Sequence, residues 1–228
     1  MTLKDFMSEL NGDGVEGEIV RTIFYSLLTS MVILAALYYF KFRFVEGFIS
    51  DYGFYLFFSA LSIAFIIPSL RHVRAYREFP CMTGMMIGMT IGMVSGFLLG
   101  FYSGATNGMF WGSVLGMAVG IYLGVSNGKC CGVMGVMEGI MAGFMGGIMG
   151  AMTAVMMIND NVRAAGVIVF LISATILFGL HYMIYTETRE FERRHKDDHF
   201  YTAWVTFILI SITTWLIVYG PKSAFFGA

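Results

Sequence analysis

The chain has 228 residues, of which 57% are apolar and 13% are charged, and its mean hydropathy is +0.75. This composition excludes an ordinary water-soluble domain, because the apolar residues come in blocks of about 20, the length that crosses a bilayer. The net charge of -1 and the pI near 6.4 exclude the clustered basic surface of a nucleic-acid-binding protein. The sequence therefore predicts an integral membrane protein in contact with the lipid bilayer.

Residues 1–21 form an acidic leader, which is predicted to be cytoplasmic. It is not a signal peptide, because no short apolar region leads to a small-residue cleavage site. Its apolar residues Leu3, Phe6, Met7 and Leu10 follow helical spacing. This spacing indicates an interfacial helix, and a frayed tail is the alternative.

Seven apolar segments predict an all-α fold, a polytopic transmembrane helical bundle of about seven spans. Residues 22–80 hold the first two spans and a basic inner loop, 81–158 hold a core rich in glycine and methionine, and 159–228 hold the last two spans with a charged cytoplasmic connection. The predicted spans are 22–40, 52–70, 81–103, 107–126, 131–158, 164–185 and 201–219. For the core, re-entrant segments are the alternative to three full spans.

The basic residues predict the orientation of these spans. With the N-terminus inside, only Lys41, Arg43, Arg163 and Lys222 of the 14 basic residues lie outside, which satisfies the positive-inside rule. The short loops favour a prokaryotic inner membrane.

Glycine recurs through the core at every fourth residue. The first series is Gly84, Gly88, Gly92, Gly96, Gly100, Gly104, Gly108, Gly112, Gly116, Gly120, Gly124, Gly128 and Gly132, and the second is Gly135, Gly139, Gly143 and Gly147. In lipid, rows of small residues let helix backbones approach closely, so the pattern predicts a glycine zipper joining helices three to five. The zipper packs helices within one subunit or drives assembly of a homo-oligomer or a membrane complex.

Methionine and cysteine predict a soft-metal path. A row of methionines flanks the glycines of span three, and a second row lies almost opposite the glycines of span five. Three cysteines are expected near the inner face. Thioether and thiolate sulfur are ligands that Cu(I) prefers, although methionine is also a flexible apolar packing residue and the cysteines are also explained as reduced thiols without partners. The candidate metal ligands are Met85, Met89, Met93, Met137, Met141, Met145, Met149, Cys81, Cys130 and Cys131.

Glu138 is the one acidic residue well inside a predicted span, and it starts the row that continues through Ala142 and Gly146. A carboxylate at that depth is costly, so it is a candidate for ion coupling or for a pore, and a neutral, hydrogen-bonded carboxyl is the alternative. His181 is predicted to be a hydrogen-bonded interior histidine. His195 and His199 have the spacing of a helical metal site, although a solvated charged face explains them better.

At motif level, Met85 and Met89 followed by the GxxxG spacing resemble the Met-xxx-Met and GxxxG pair of the Ctr copper transporters. The resemblance covers one helix and implies copper handling. Those proteins have three spans, whereas seven are predicted here.

No nucleophile elbow, phosphate-binding glycine loop or HExxH motif is present, so the sequence does not predict an enzyme. Three hypotheses remain. The chain is a transporter or channel for a soft ion, with Cu(I) as the one candidate cofactor; a non-catalytic scaffold or accessory subunit assembled through the zipper; or a transporter for another small solute.

Overall fold

The computed structural model describes residues 17–40, 52–75, 80–188 and 199–221. In these ranges the fold is all-α, which confirms the predicted class. The seven α-helices are α1 (Gly17–Phe40), α2 (Gly53–Ala75), α3 (Cys81–Asn107), α4 (Met109–Gly128), α5 (Gly132–Met156), α6 (Val162–Thr188) and α7 (His199–Tyr219), with a short 3-10 helix at Lys129–Cys131. Most of the acidic leader lies outside the described residues.

Five of the helices, α2 to α6, are long and apolar enough to cross a membrane. The apolar parts of the other two are shorter and cover Val20–Ala36 in α1 and Ala203–Tyr219 in α7. In lipid, a helix satisfies every backbone N–H and C=O within its own segment, which is why apolar segments of this length become helices. The protein is therefore an integral membrane protein.

Helix α3 extends beyond its predicted end, its connection to α4 is shorter than predicted, and α5 ends at Met156 rather than at position 158. The predicted polar loop after position 103 belongs to α3, which continues to Asn107, and α4 starts at Met109. Only Gly108 separates them, and its φ of 84° is in the left-handed region that favours glycine. The 3-10 turn after α4 ends in the same way at Gly132, with φ 66°.

These helices continue through polar residues because the polar side chains donate hydrogen bonds to backbone carbonyls of the same helix. Ser103 Oγ donates to the Leu99 carbonyl at 2.5 Å, and Asn127 Nδ2 donates to the Leu123 carbonyl at 2.7 Å. A hydroxyl or amide bonded to the preceding turn has no need of water, so it fits within an apolar helix.

Helices α3, α4 and α5 pack against one another more closely than any other helices of the described chain. α2 lies on the other side of α3, in contact with α1, α6 and α7, and α6 also packs against α3. The core between these helices includes the fully buried Ile63, Ile91, Phe101, Tyr102 and Ile184. Thus α3 is the central helix, with a glycine-rich side and a side-chain-packed side.

Candidate functional site

The glycines of α3, α4 and α5 meet along a common axis. A Cβ on Gly116 would lie 2.9 Å from the Cα atoms of both Gly100 and Gly147. A Cβ on Gly120 would lie 2.9 Å from Gly96 Cα and 3.0 Å from Gly143 Cα. The layers along the axis are Gly88 with Gly128; Gly92 with Gly124 and Gly139; Gly96 with Gly120 and Gly143; Gly100 with Gly116 and Gly147; and Gly104 with Gly112 and Ala151.

These layers define how the three helices run. Positions rise along α3 as they fall along α4, so these two helices are antiparallel, whereas α5 runs parallel to α3. Because backbone meets backbone, the axis has no room for a side chain, and a solute path cannot follow it. Close approach also brings many backbone atoms into dispersion contact.

The predicted methionine ligands lie on the outside of this three-helix unit. Met85 is half-buried, and the exposed fractions of the other side chains range from 39% to 62%. These other residues are Met89, Met93, Met137, Met141, Met145 and Met149.

The two methionine rows flank the same groove, which we call the α3–α5 seam. A Cβ on Gly146 would come 2.5 Å from the Met93 carbonyl oxygen, and Gly150 contacts the backbone of Phe97 in the same way. The same spacing between the helices places Glu138 level with Met85, and both side chains are half-buried. Glu138 thus begins the row of α5 that faces α3.

Two of the three cysteines come together at one end of the seam. Cys81 is the first residue of α3, and Cys131 ends the 3-10 turn before α5. The Cys131 thiol donates to the Cys81 carbonyl oxygen at 2.7 Å, and the two side chains are in hydrogen-bonding contact. The side chain of Cys130 lies outside the described residues.

His72 is a buried residue that the sequence analysis did not identify. His181 is hydrogen-bonded and buried, as expected, but its partner is His72, which the hydropathy profile placed in a polar loop after the second span. Their Nδ1 atoms are 3.1 Å apart, and His181 Nε2 is 3.2 Å from Ser69 Oγ. No local sequence pattern signals this contact, because its two residues are 109 positions apart. His195 and the side chain of His199 lie outside the described residues.

In the described parts of the chain, no three His, Cys, Asp or Glu side chains are grouped so that they could hold a metal ion. A metal site built from the described side chains alone would therefore have to include methionine sulfur.

The described residues thus belong to a helical integral membrane protein in which α3, α4 and α5 pack against one another through their glycines. No protein-family model matches the chain, and no curated protein or solved structure shows significant similarity to it.

Proposed function

We propose that this protein is a non-enzymatic membrane protein that binds a soft metal ion, Cu(I), at the cysteine end of the α3–α5 seam and passes it along the methionine rows. The observation that carries the proposal is the approach of Cys81 and Cys131, which are 50 residues apart in the sequence. Their backbones are brought together by the glycine layers, because α3 and α5 run parallel and start at the same level.

Helical spacing supplies further sulfur at this end. Met85 lies four residues after Cys81, on the same face of α3. Met134 lies in the first turn of α5, directly after the 3-10 turn that ends at Cys131. Two thiolates with one or two thioethers form a soft ligand set suited to Cu(I). Glu138, level with Met85, adds a negative charge that attracts a cation to the same place.

Beyond this end, only thioethers continue along the seam. Met89 and Met93 on α3, and Met141 and Met145 on α5, are successive weak sites, and an ion that binds weakly at several sites can also leave them. These side chains are exposed on the single chain. The proposal therefore includes a homo-oligomer in which a second copy covers the seam and keeps lipid away from the ion.

An assembly subunit without metal is the competing function. The glycine zipper was the surface predicted to bind partner subunits, but the glycine layers join three helices of one chain. A scaffold would need another surface, so the geometry favours the soft-metal function.

The test is a competitive Cu(I) titration of the full chain, purified without oxygen in nanodiscs. We expect tight binding that is lost when Cys81, Cys130 and Cys131 are all changed to serine. Binding no stronger than a chelator control would contradict the proposal, and so would binding that survives in the serine variant.

Flux into proteoliposomes tests the methionine path separately. Replacing Met89 and Met93 with leucine keeps the volume nearly unchanged and removes the sulfur. We expect slower Cu(I) flux from this variant, and no change from leucine at Met109 and Met117 of α4. Equal flux in both variants would contradict the path while leaving the binding site standing.

A further inference from the structure

A pair of histidines lies in the interface between α2 and α6. His72 is 2% exposed and His181 is 6% exposed, and both belong to candidate membrane spans. The ring centroids are 5.1 Å apart, and the ring planes are inclined by 52°. With 3.1 Å between the two Nδ1 atoms, the rings are joined by a direct N–H···N hydrogen bond.

The surroundings of the pair are mostly apolar. On the same interface, Phe65 of α2 packs edge-on against Phe170 of α6, with ring centroids 5.4 Å apart. Ile184 is fully buried one turn beyond His181. The Ser69 hydroxyl lies 3.2 Å from the second nitrogen of His181, within hydrogen-bonding distance.

The charged side chains that the structure describes at this end of the bundle have other partners or are exposed. Arg71 of α2 donates to Thr22 Oγ1 of α1 at 3.0 Å, and the exposed Glu187 of α6 accepts a hydrogen bond from Thr83 of α3. Arg21 of α1 is exposed, and the described side chains of α7 carry no charge. Among the described side chains of these helices, the other titratable groups here are the phenols of Tyr25, Tyr182 and Tyr185 and the thiol of Cys81.

The contact between the two Nδ1 atoms limits the protons that the pair can hold. In the neutral pair one Nδ1 carries hydrogen and the other accepts it, so the two rings are opposite tautomers. One added proton goes to the Nε2 of the donor ring, which becomes an imidazolium that donates to its neutral partner. A second added proton would put hydrogen on both Nδ1 atoms, and 3.1 Å leaves no room for two hydrogens facing each other.

We propose that His72 and His181 form a proton-binding site inside the membrane, which takes up a single proton shared across the Nδ1–Nδ1 hydrogen bond. Charge-assisted hydrogen bonds are stronger than neutral ones, and sharing the proton spreads its charge over two rings in an apolar interface. Ser69 completes the site, since its hydroxyl donates to Nε2 of His181 or accepts from it. This site is independent of the proposed metal function.

A metal ion fits the pair less well than a proton. Two imidazole nitrogens are fewer than the three or four protein ligands that biological zinc sites use, and no third His, Cys, Asp or Glu of the described chain joins them. When a proton lies between the two Nδ1 atoms, the hydrogen bond uses the lone pair that a metal ion would need.

Nuclear magnetic resonance of the full chain in nanodiscs, labelled with 15N at its four histidines, tests the site. We expect a through-hydrogen-bond coupling between the Nδ1 nuclei of His72 and His181. On acidification, we expect the pair to gain one proton while the other two histidines gain one each. The coupling should be lost in His72→Gln and kept in Ser69→Ala, which leaves the Nδ1–Nδ1 bond in place.

Absence of the coupling in the unmodified protein would overturn the proposal without any variant, so a misfolded His72→Gln leaves the test decisive. Full protonation of both rings in the folded protein would also overturn it. So would displacement of the shared proton by stoichiometric zinc, which would make the pair a metal site.

Discussion

The change of Gly116 to alanine tests the glycine layers most sharply. The added Cβ would lie 2.7 Å from the Gly96 carbonyl oxygen and 2.9 Å from the Cα atoms of Gly100 and Gly147. Ordinary carbon contacts need about 3.5 to 4.0 Å, so α4 must move away from both α3 and α5 by roughly 0.5–1 Å. Backbone atoms have no rotamer that could relieve the contact.

A gap of this size loses roughly a quarter to a half of each dispersion contact along the affected layers. Overpacked cores typically lose about 1–3 kcal/mol, and contact with two helices at once places Gly116→Ala near 2–3 kcal/mol. The assay is unfolding from mild detergent by added sodium dodecyl sulfate, followed by circular dichroism.

The matched control is Gly179→Ala in α6, where an added Cβ meets no atom within 4 Å. This variant should keep the free energy of unfolding or raise it slightly, because alanine favours a helix more than glycine does. Equal free energies of unfolding for the two variants would refute the close approach of α3, α4 and α5.

Three further changes should lower the free energy of unfolding in the same assay. Gly132→Ala should cost about 1–3 kcal/mol although the space beside it is open, because its φ of 66° is unfavourable for alanine. Tyr102→Phe should cost about 1 kcal/mol, because the buried hydroxyl donates to the Gly166 carbonyl at 3.0 Å. Asn107→Ala should cost about 1–2 kcal/mol, because its amide donates to the Leu216 carbonyl at 2.6 Å and joins α3 to α7.

Each of these changes has a control of the same chemistry. The control for Gly132→Ala is Gly179→Ala, which lies within a helix and has open space for the added Cβ. Tyr122→Phe, the control for Tyr102→Phe, removes a hydroxyl from a side chain that is 66% exposed. Asn159→Ala, the control for Asn107→Ala, changes an exposed residue of a turn. If a control loses as much stability as the variant it is paired with, the result would contradict the backbone conformation or the hydrogen bond under test.

The order and the approximate limits of the seven helices could be predicted from the sequence. Blocks of apolar residues must form helices in lipid, and this holds whatever the helices pack against. Hydropathy failed where polar residues bond to their own helix. Thr106 donates to the Ser103 carbonyl at 3.1 Å, so α3 continues through a stretch that has the composition of a loop.

Tertiary contacts could be predicted only in part. The four-residue spacing of glycine predicted close helix packing, but it could not distinguish contacts within a chain from contacts between chains. The contact of His72 with His181 joins residues 109 positions apart, so no local pattern contains it. The methionine rows point outward because the glycine rows of the three helices face each other. Which rows face each other depends in turn on the tight turns at Gly108 and Gly132.

The central claim is that parallel packing of α3 and α5 brings two thiols into one soft-metal site. Dibromobimane, which becomes fluorescent when both of its arms react with thiols, tests this claim in full-length protein with Cys130→Ser. We expect cross-linking of Cys81 to Cys131 within one chain, and protection from it when Cu(I) is added first. Cross-linking that Cu(I) leaves unchanged would contradict the metal site, and absence of an intramolecular product would contradict the packing itself.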